Sequence, residues 1–223
     1  MKGTTRLVQA LATAACLLVP ARDAQAVSNM PGAFDYYVLV LSWTPSFCRT
    51  EDPSREDGQC DSRSRHAFLL HGLWPQYEKG WPERCPTERR PFVPEEIIEE
   101  MRDVMPSKGL MIHEYRVHGT CSGLDPAQYF GVARELYERV NIPARFLGKE
   151  TGGLNSPDAV QRAILDANPW LKPEMVAVTC RRQTLIDIRI CFGRDLFPHA
   201  CGANEDQKRL CPVSKITVPP VAP

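Results

Sequence analysis

The sequence lacks an excess of positive charge. It contains 27 lysines and arginines against 27 aspartates and glutamates. A protein that holds polyanions through non-specific phosphate contacts usually has a large basic excess. The balanced charge therefore argues against a simple nucleic-acid-binding module, although a local basic cleft is still compatible with it.

A hydrophobic run long enough to cross a membrane is also missing. The apolar segment from Leu7 to Val19 follows two basic residues and precedes the small-x-small sequence Ala24–Ala26. It falls short of the roughly 20 residues that a spanning helix needs. This order of features predicts a signal peptide over residues 1–26. We expect residues 27–223 to form one mature domain, secreted or periplasmic and free of the membrane, with a net charge of −2 because three basic residues and one acidic residue are removed.

No Cys-x-x-Cys pair or similar zinc-binding spacing occurs in the chain. Eight cysteines follow residue 26, and an even number in an exported protein predicts disulfides rather than structural zinc ligands. The length of the mature chain suits a single domain with a sizeable core. We therefore expect no cofactor, with disulfides securing a fold that is already well packed.

The stretch HEYRVH, from His113 to His118, differs from the His-Glu-x-x-His helix of zinc proteases because its histidines are five residues apart. In a regular helix these rings would point roughly 140° apart, which is poor geometry for one metal ion. Glu114 and His118 would form an i,i+4 pair, with His113 beside them and Val117 at the centre. This arrangement of two histidines and a glutamate suits contact with a tetrahedral or pentacoordinate anion. A zinc hydrolase is the alternative, and the five-residue spacing disfavours it.

The order of the predicted elements indicates an α+β fold. Two early apolar segments predict strands, and the second is expected to stop at Gly72 and Pro75. Helical periodicity and capping residues appear in the middle of the chain, and two more strands follow around a short turn. The proline-rich tail from Val218 to Pro223 is expected to be frayed. The predicted strands lie at 34–43, 67–74, 175–180 and 184–192, and the predicted helices begin at Pro94, Asp125 and Ser156.

Three segments resemble the ribonuclease T2 family. They are FLLHGLWPQY (68–77), HEYRVHGTC (113–121) and FDYYVLVLSWTPSFC (34–48), the last in the form that bacterial members use. The resemblance extends to about Val218. It implies a single α+β domain with a central antiparallel sheet, helices packed against it, and disulfides. It also implies a monomeric endoribonuclease that needs no metal and acts on RNA but not on DNA.

The resemblance also implies catalytic roles. His118 would accept the proton of the 2′-hydroxyl, and His71 would protonate the leaving 5′-oxygen, giving a 2′,3′-cyclic phosphate. Histidine suits both roles because its pKa lies near neutrality. His113 would hold the phosphate, and Glu114 would help to stabilise the pentacoordinate state. The alternative is a catalytically silent relative that binds RNA or a protein, and the presence of His71 and His118 disfavours it.

Base recognition is expected to have low specificity, because aromatic stacking tolerates any base. The resemblance makes Trp74 a stacking platform, although a core tryptophan is an equally good interpretation of that position. Gln76 lies where the family contacts the base edge, and Leu110 is a candidate wall of a second base site. The family usually has a lysine where this chain has Val117. Either Arg116, which is adjacent in sequence, supplies the missing cation, or the site is weaker than in relatives.

The disulfide pairing also follows from the resemblance, because eight cysteines alone do not determine their connectivity. One pair would close an early loop, and a second would join the two histidine segments. Two nested pairs would surround the final strands. The expected pairs are Cys48–Cys60, Cys85–Cys121, Cys180–Cys211 and Cys191–Cys201.

Overall fold

The computed structural model describes residues 29–50, 58–60, 66–147 and 153–221. The predicted signal peptide and most of the loop between the first two strands lie outside these residues. Within them the chain forms one antiparallel sheet of α+β type, as predicted. Its strand order is β2-β1-β4-β3, where β1 is Tyr36–Trp43, β2 Phe68–Gln76, β3 Val176–Arg181 and β4 Thr184–Gly193.

Helices cover one face of the sheet and form the core together with the strands. The helix beginning after Asp125 is capped as predicted, with the Asp125 carboxylate accepting from the Gln128 N–H. In the described ranges no helix is long and apolar enough to cross a membrane. The helices are α1 (Thr44–Thr50), α2 (Glu95–Met101), α3 (Lys108–Glu114), α4 (Thr120–Ser122), α5 (Pro126–Arg139), α6 (Pro157–Ala167) and α7 (Gln207–Leu210), with a π-helical segment at Tyr115–Gly119 and 3-10 turns at Ala144–Phe146, Pro173–Met175 and Ala203–Glu205.

The two faces of the sheet have different roles because side chains alternate along each strand. Leu39 and Leu41 of β1 belong to the large apolar core, which also contains residues of α5 and α6. Val38 and Val40 point to the other face, and directly paired residues of neighbouring strands share that face. Val38 pairs with Trp74, and Val40 pairs with Arg189. The polar residues of the central strands are thereby collected on the face opposite the core.

Strand β2 continues past the two residues that were expected to stop it. Gly72 pairs with Val40, and Pro75 pairs with Tyr37. A proline is tolerated here because β2 lies at the edge of the sheet and has only one neighbouring strand. The prediction of an earlier end was therefore wrong, since it treated proline and glycine as local breakers without knowing the position of the strand in the sheet.

The described part of the C-terminal tail, residues 218–221, is packed, and the expectation that it is frayed was wrong there. Val218 and Val221 are 6% and 7% exposed. The indole N–H of Trp43, which is fully buried, donates to the carbonyl of Pro219 at 3.0 Å. A buried indole needs an acceptor, and the extended proline segment supplies one while its valines fill the edge of the core.

The described residues contain four disulfides, and their pairing is the one that the family resemblance implied. Cys85–Cys121 joins the loop after β2 to the segment that carries His118. Beside it, the N–H of Arg84 donates to the carbonyl of Val117 at 2.7 Å. The four bonds are Cys48–Cys60, Cys85–Cys121, Cys180–Cys211 and Cys191–Cys201, with Cα–Cα separations of 5.5, 4.9, 4.9 and 5.4 Å.

Candidate active site

His71 lies at an irregularity in the pairing of β2 with β1. Val40 pairs with Gly72, whereas Leu41 pairs with Leu70, so His71 has no partner on β1. A bulge of this kind redirects a side chain, here toward the polar face of the sheet. The His71 Nδ1 lies 3.0 Å from the hydroxyl of Ser42, and the side chain is 32% exposed. The ring is therefore held in place while remaining accessible to a substrate.

The second histidine segment departs from the regular helix that its sequence suggested. Residues Tyr115–Gly119 form a π-helical turn, in which the Thr120 N–H reaches the carbonyl of Tyr115, five residues earlier. Because this turn advances less per residue than an α-helix, residues five apart come closer to one line. The expected 140° between His113 and His118 is thereby reduced. A Cβ on Gly119 would overlap the ring of Tyr115, so the turn requires glycine.

Glu114 is the buried anion of the site, with only 2% of its side chain exposed. One carboxylate oxygen accepts the Trp74 indole N–H at 2.7 Å, and the other lies 3.4 Å from His71 Nε2. A Cβ on Gly72 would overlap this carboxylate. Burial alone would raise the pKa of Glu114, but the hydrogen bond and charge of His71, with His118 and Trp74, hold it below its usual value. The group is therefore ionised.

The environment of His118 disfavours its charged form. Its ring stacks on Trp74 with centroids 4.9 Å apart, and its Nδ1 is buried without a hydrogen-bond partner among the described residues. Burial, with the nearby His71 and His113, lowers the pKa of His118 to about 4, although Glu114 acts in the opposite direction. His118 is therefore neutral near pH 7, and Nε2 is its accessible nitrogen.

The environment of His71 has the opposite effect. Burial by itself would lower the pKa of His71, but the hydrogen bond and negative charge of Glu114, with a smaller contribution from Asp187, raise it above its usual value. The charge of Arg189 offsets only part of this increase. The two histidines on either side of Glu114 are therefore driven toward opposite protonation states, which is how one side-chain type supplies both an acid and a base.

Two clefts border this centre, one at His71 and the other at His118. The first, which we call the His113 cleft, has a volume of about 710 Å³ and is lined by His71, Leu110, His113 and residues around the start of α3. The second, the His118 cleft, has a volume of about 340 Å³ and is lined by Trp74, Gln76, Trp81, His118 and residues of the C-terminal part. The predicted residues His113 and Leu110 thus lie together, while Gln76 and Trp74 lie on the other side.

Trp74 does more than line a cleft. It is bonded to Glu114 and stacked on His118, and the Arg189 guanidinium lies 5.1 Å from its ring centroid. Trp81, in contrast, is 46% exposed at the edge of the His118 cleft. The sequence analysis did not predict Trp81 as a site residue. Its position in the sequence Gly-Trp-Pro, typical of a turn at the surface, could have indicated an exposed aromatic ring.

Arg116, the candidate for the missing cation, lines neither cleft, whereas Arg189 and Arg209 both line the His118 cleft. Val117 is 6% exposed and therefore does not occupy the centre of an open face. Arg116 is exposed, and its Nε donates to the carbonyl of Pro91 at 3.4 Å. Arg189, from β4, lines the His118 cleft instead and pairs with Asp187 at 3.3 Å. No local sequence motif marks Arg189, because β-sheet pairing brings it to the site.

No cluster of three or more histidine, cysteine or acidic side chains with the geometry of a metal site occurs in the described part of the chain. Two histidines whose pKa values are shifted in opposite directions around a carboxylate are typical of enzymes that transfer protons by general acid–base catalysis.

Residues 34–201 match the model of the Ribonuclease T2 family, and the chain belongs to this family. It is a T2-type endoribonuclease whose substrate is RNA. It is 32% identical to a ribonuclease of Aeromonas hydrophila, covering 81% of this chain and 82% of that protein. It is 30% identical to Ribonuclease I of Escherichia coli K12, covering 84% and 87% of the two chains.

Solved structures share the fold. Ribonuclease MC1 from bitter gourd seeds superimposes with a TM-score of 0.61 and 22% identity, over 82% of this chain and 99% of that one. A mutant of the same ribonuclease was solved in complex with 5′-UMP. At this level of identity the similarity supports the architecture, whereas the catalytic assignment rests on the residues of this chain.

Proposed function

We propose that this protein cleaves single-stranded RNA by transphosphorylation and without a metal ion. The 2′-oxygen attacks the adjacent phosphorus, the bond to the 5′-oxygen breaks, and the products carry a 2′,3′-cyclic phosphate and a 5′-hydroxyl. The observation that supports this most directly is the opposite pKa shift of His71 and His118 around the buried Glu114. DNA lacks the 2′-hydroxyl and is not a substrate.

The neutral His118 acts as the base. Its Nε2 takes the proton from the 2′-hydroxyl, because Nδ1 is buried and out of reach. The protonated His71 gives its proton to the leaving 5′-oxygen. Its Nε2 lies 3.4 Å from Glu114, which is longer than a strong charge-assisted hydrogen bond. That proton is therefore available for transfer, and the two steps together leave the total number of protons unchanged.

Negative charge that grows on the phosphorane is offset by the imidazolium of His71 and by His113 in the neighbouring cleft. Glu114 contributes by keeping His71 charged and by fixing Trp74 through its indole. The carboxylate thus stabilises the pentacoordinate state through His71, since it is too buried to contact the phosphate itself.

The position of the two histidines sets the direction of the RNA. The nucleotide whose 2′-hydroxyl is activated must lie next to His118, in the His118 cleft, where Trp81 offers an exposed ring for stacking. The nucleotide that leaves with the 5′-oxygen lies next to His71, in the His113 cleft, where Leu110 forms an apolar wall. Stacking accepts every base, so we propose cleavage at all four nucleotides.

We further propose that residues 1–26 are removed on export and that residues 27–223 act as a monomer in the periplasm or outside the cell. The four disulfides are those of a protein that matures in an oxidising compartment.

The test is digestion of a defined oligoribonucleotide in excess EDTA, with mass analysis of the new termini. We expect cyclic phosphate and 5′-hydroxyl ends, and no cleavage after a nucleotide whose 2′-hydroxyl is replaced by hydrogen. Activity that disappears in EDTA and returns on addition of zinc would overturn the proposal.

A further inference from the structure

The side chain of Asn204 has only one possible orientation. Its Oδ1 accepts the Gly80 N–H at 2.9 Å, and its Nδ2 donates to the carbonyls of Gly80 and Tyr77 at 2.7 and 3.1 Å. A backbone N–H cannot accept and a backbone carbonyl cannot donate, so turning the amide over would lose all three bonds. The backbone of residues 77–80 therefore fixes which end of Asn204 is the donor.

Asn204 in turn fixes the amide of Gln76. Its Nδ2 donates to Gln76 Oε1 at 3.0 Å, so Gln76 must present its oxygen to Asn204. The Gln76 Nε2 is turned the other way and has no hydrogen-bond partner among the described residues. Gln76 as a whole is only 3% exposed, but its Nε2 is not among the fully enclosed unpaired polar atoms of the described residues. Since Gln76 lines the His118 cleft, this amide supplies that cleft with an unused donor.

The charged groups beside Gln76 present mainly donors to the cleft. The carboxylate of Glu205 is an acceptor, but its side chain is only 1% exposed. One of its oxygens accepts the hydroxyl of Tyr36, and the other lies 3.6 Å from Arg189 Nη1. Arg189 itself brings only donors to the cleft. The side chains of Gln76 and Arg189 therefore both offer donors to a base in the His118 cleft.

We propose that Asn204 is a positioning residue that holds Gln76 as a donor, and that Gln76 thereby selects bases with an exocyclic carbonyl. Uracil and guanine carry a carbonyl oxygen where cytosine and adenine carry an amino group. An amino group facing Nε2 leaves two donors opposed and unpaired. We expect a preference of about tenfold for uridine over cytidine and for guanosine over adenosine. This inference rests on the proposed function, because it concerns the nucleotide on the 5′ side of the cleaved bond.

The test compares kcat/KM for UpA with CpA, and for GpA with ApA, in the wild type and in two variants. Gln76→Glu keeps an oxygen for Asn204 and replaces Nε2 with an acceptor, so the preference should invert toward cytidine and adenosine. Asn204→Ala frees the Gln76 amide to turn, so both ratios should fall toward one.

Asn168→Ala is the matched control. Asn168 is a buried asparagine that also bonds backbone groups, those of Asn141 and Ile164, and it lines neither cleft. Its loss should lower stability but leave both base ratios unchanged.

Equal rates for UpA and CpA in the wild type would overturn the inference, as would base ratios that survive Asn204→Ala. If Asn204→Ala does not fold, an unchanged ratio in Gln76→Glu overturns the inference alone. A wild type that cuts none of the four substrates would instead overturn the proposed function.

Discussion

His71 and His118 carry the same side chain in two contrasting environments. His71 lies between the hydroxyl of Ser42 and the carboxylate of Glu114, whereas His118 stacks on Trp74 with one ring nitrogen buried and unpaired. Hydrogen bonding to an anion favours the charged ring, and apolar burial favours the neutral one. In the proposed mechanism, the acid and the base are therefore distinguished by their neighbours and not by the sequence motif itself.

Removing the imidazole ring of His71 or of His118 should have the largest effect on catalysis. We expect His118→Ala and His71→Ala each to lower kcat/KM by about 10²–10⁴-fold, because each removes one proton transfer. Single-turnover rates on one dinucleotide measure the loss. Variants that retain near wild-type rates would show that the catalytic centre lies elsewhere.

In the wild type, the pH profile of kcat/KM should reflect the pKa values of both His71 and His118. Activity needs neutral His118, so kcat/KM should rise as pH increases through about 4. It also needs protonated His71, so kcat/KM should fall as pH rises through a value above the usual 6.5. A bell with its maximum on the acid side of neutrality is the expected profile. A rate that still climbs at pH 9 contradicts the assignment of the two roles.

Replacing the Glu114 carboxylate should bring the pKa values of His71 and His118 closer together. Without the charge of Glu114, the pKa of His71 falls, so in Glu114→Gln the alkaline limb of the pH profile should move to lower pH. We expect kcat/KM to drop by about a hundredfold at pH 7, combining the lost acid with weaker stabilisation of the phosphorane. A reduced rate with an unmoved alkaline limb would assign Glu114 a merely structural role.

Gly72→Ala tests the space that Glu114 requires. The added methyl group would overlap the carboxylate, so we expect about a tenfold loss of kcat/KM. Gly131→Ala in α5 is the control, because its Cβ would meet nothing within 4 Å. That variant should keep its activity and gain up to about 1 kcal/mol of helix stability. Equal behaviour of the two variants would mean that Gly72 is not required for space.

Arg116→Ala should have the smallest effect. Arg116 is exposed and bonds to the carbonyl of Pro91, so we expect kcat/KM within about twofold of wild type. Arg189→Ala, in contrast, removes one of the two arginines that line the His118 cleft, the one beside the Trp74 ring, and should lower kcat/KM more. A tenfold loss in Arg116→Ala would restore the expectation that Arg116 replaces the lysine of the family.

The sequence predicted what depends on local chemistry. The cap at Asp125, the two histidine segments and the apolar early strands are all local patterns, and the structure has each of them. Arg189 and Asn204 could not be predicted, because sheet pairing and a distant 3-10 turn bring them to the site. The π-helical turn was missed because Gly119 acts through its contact with the Tyr115 ring, which residue spacing does not reveal.

The packed C-terminal tail has a practical consequence for anyone who produces this protein. Val218, Pro219 and Val221 are covered by the rest of the chain, and the Trp43 indole depends on the Pro219 carbonyl. Removing the last six residues to obtain a shorter expression product would expose the edge of the core. It would also leave the buried indole N–H of Trp43 without its acceptor. A purification tag belongs after Pro223 with a flexible spacer, so that residues 218–221 can still pack against the core before the tag is reached.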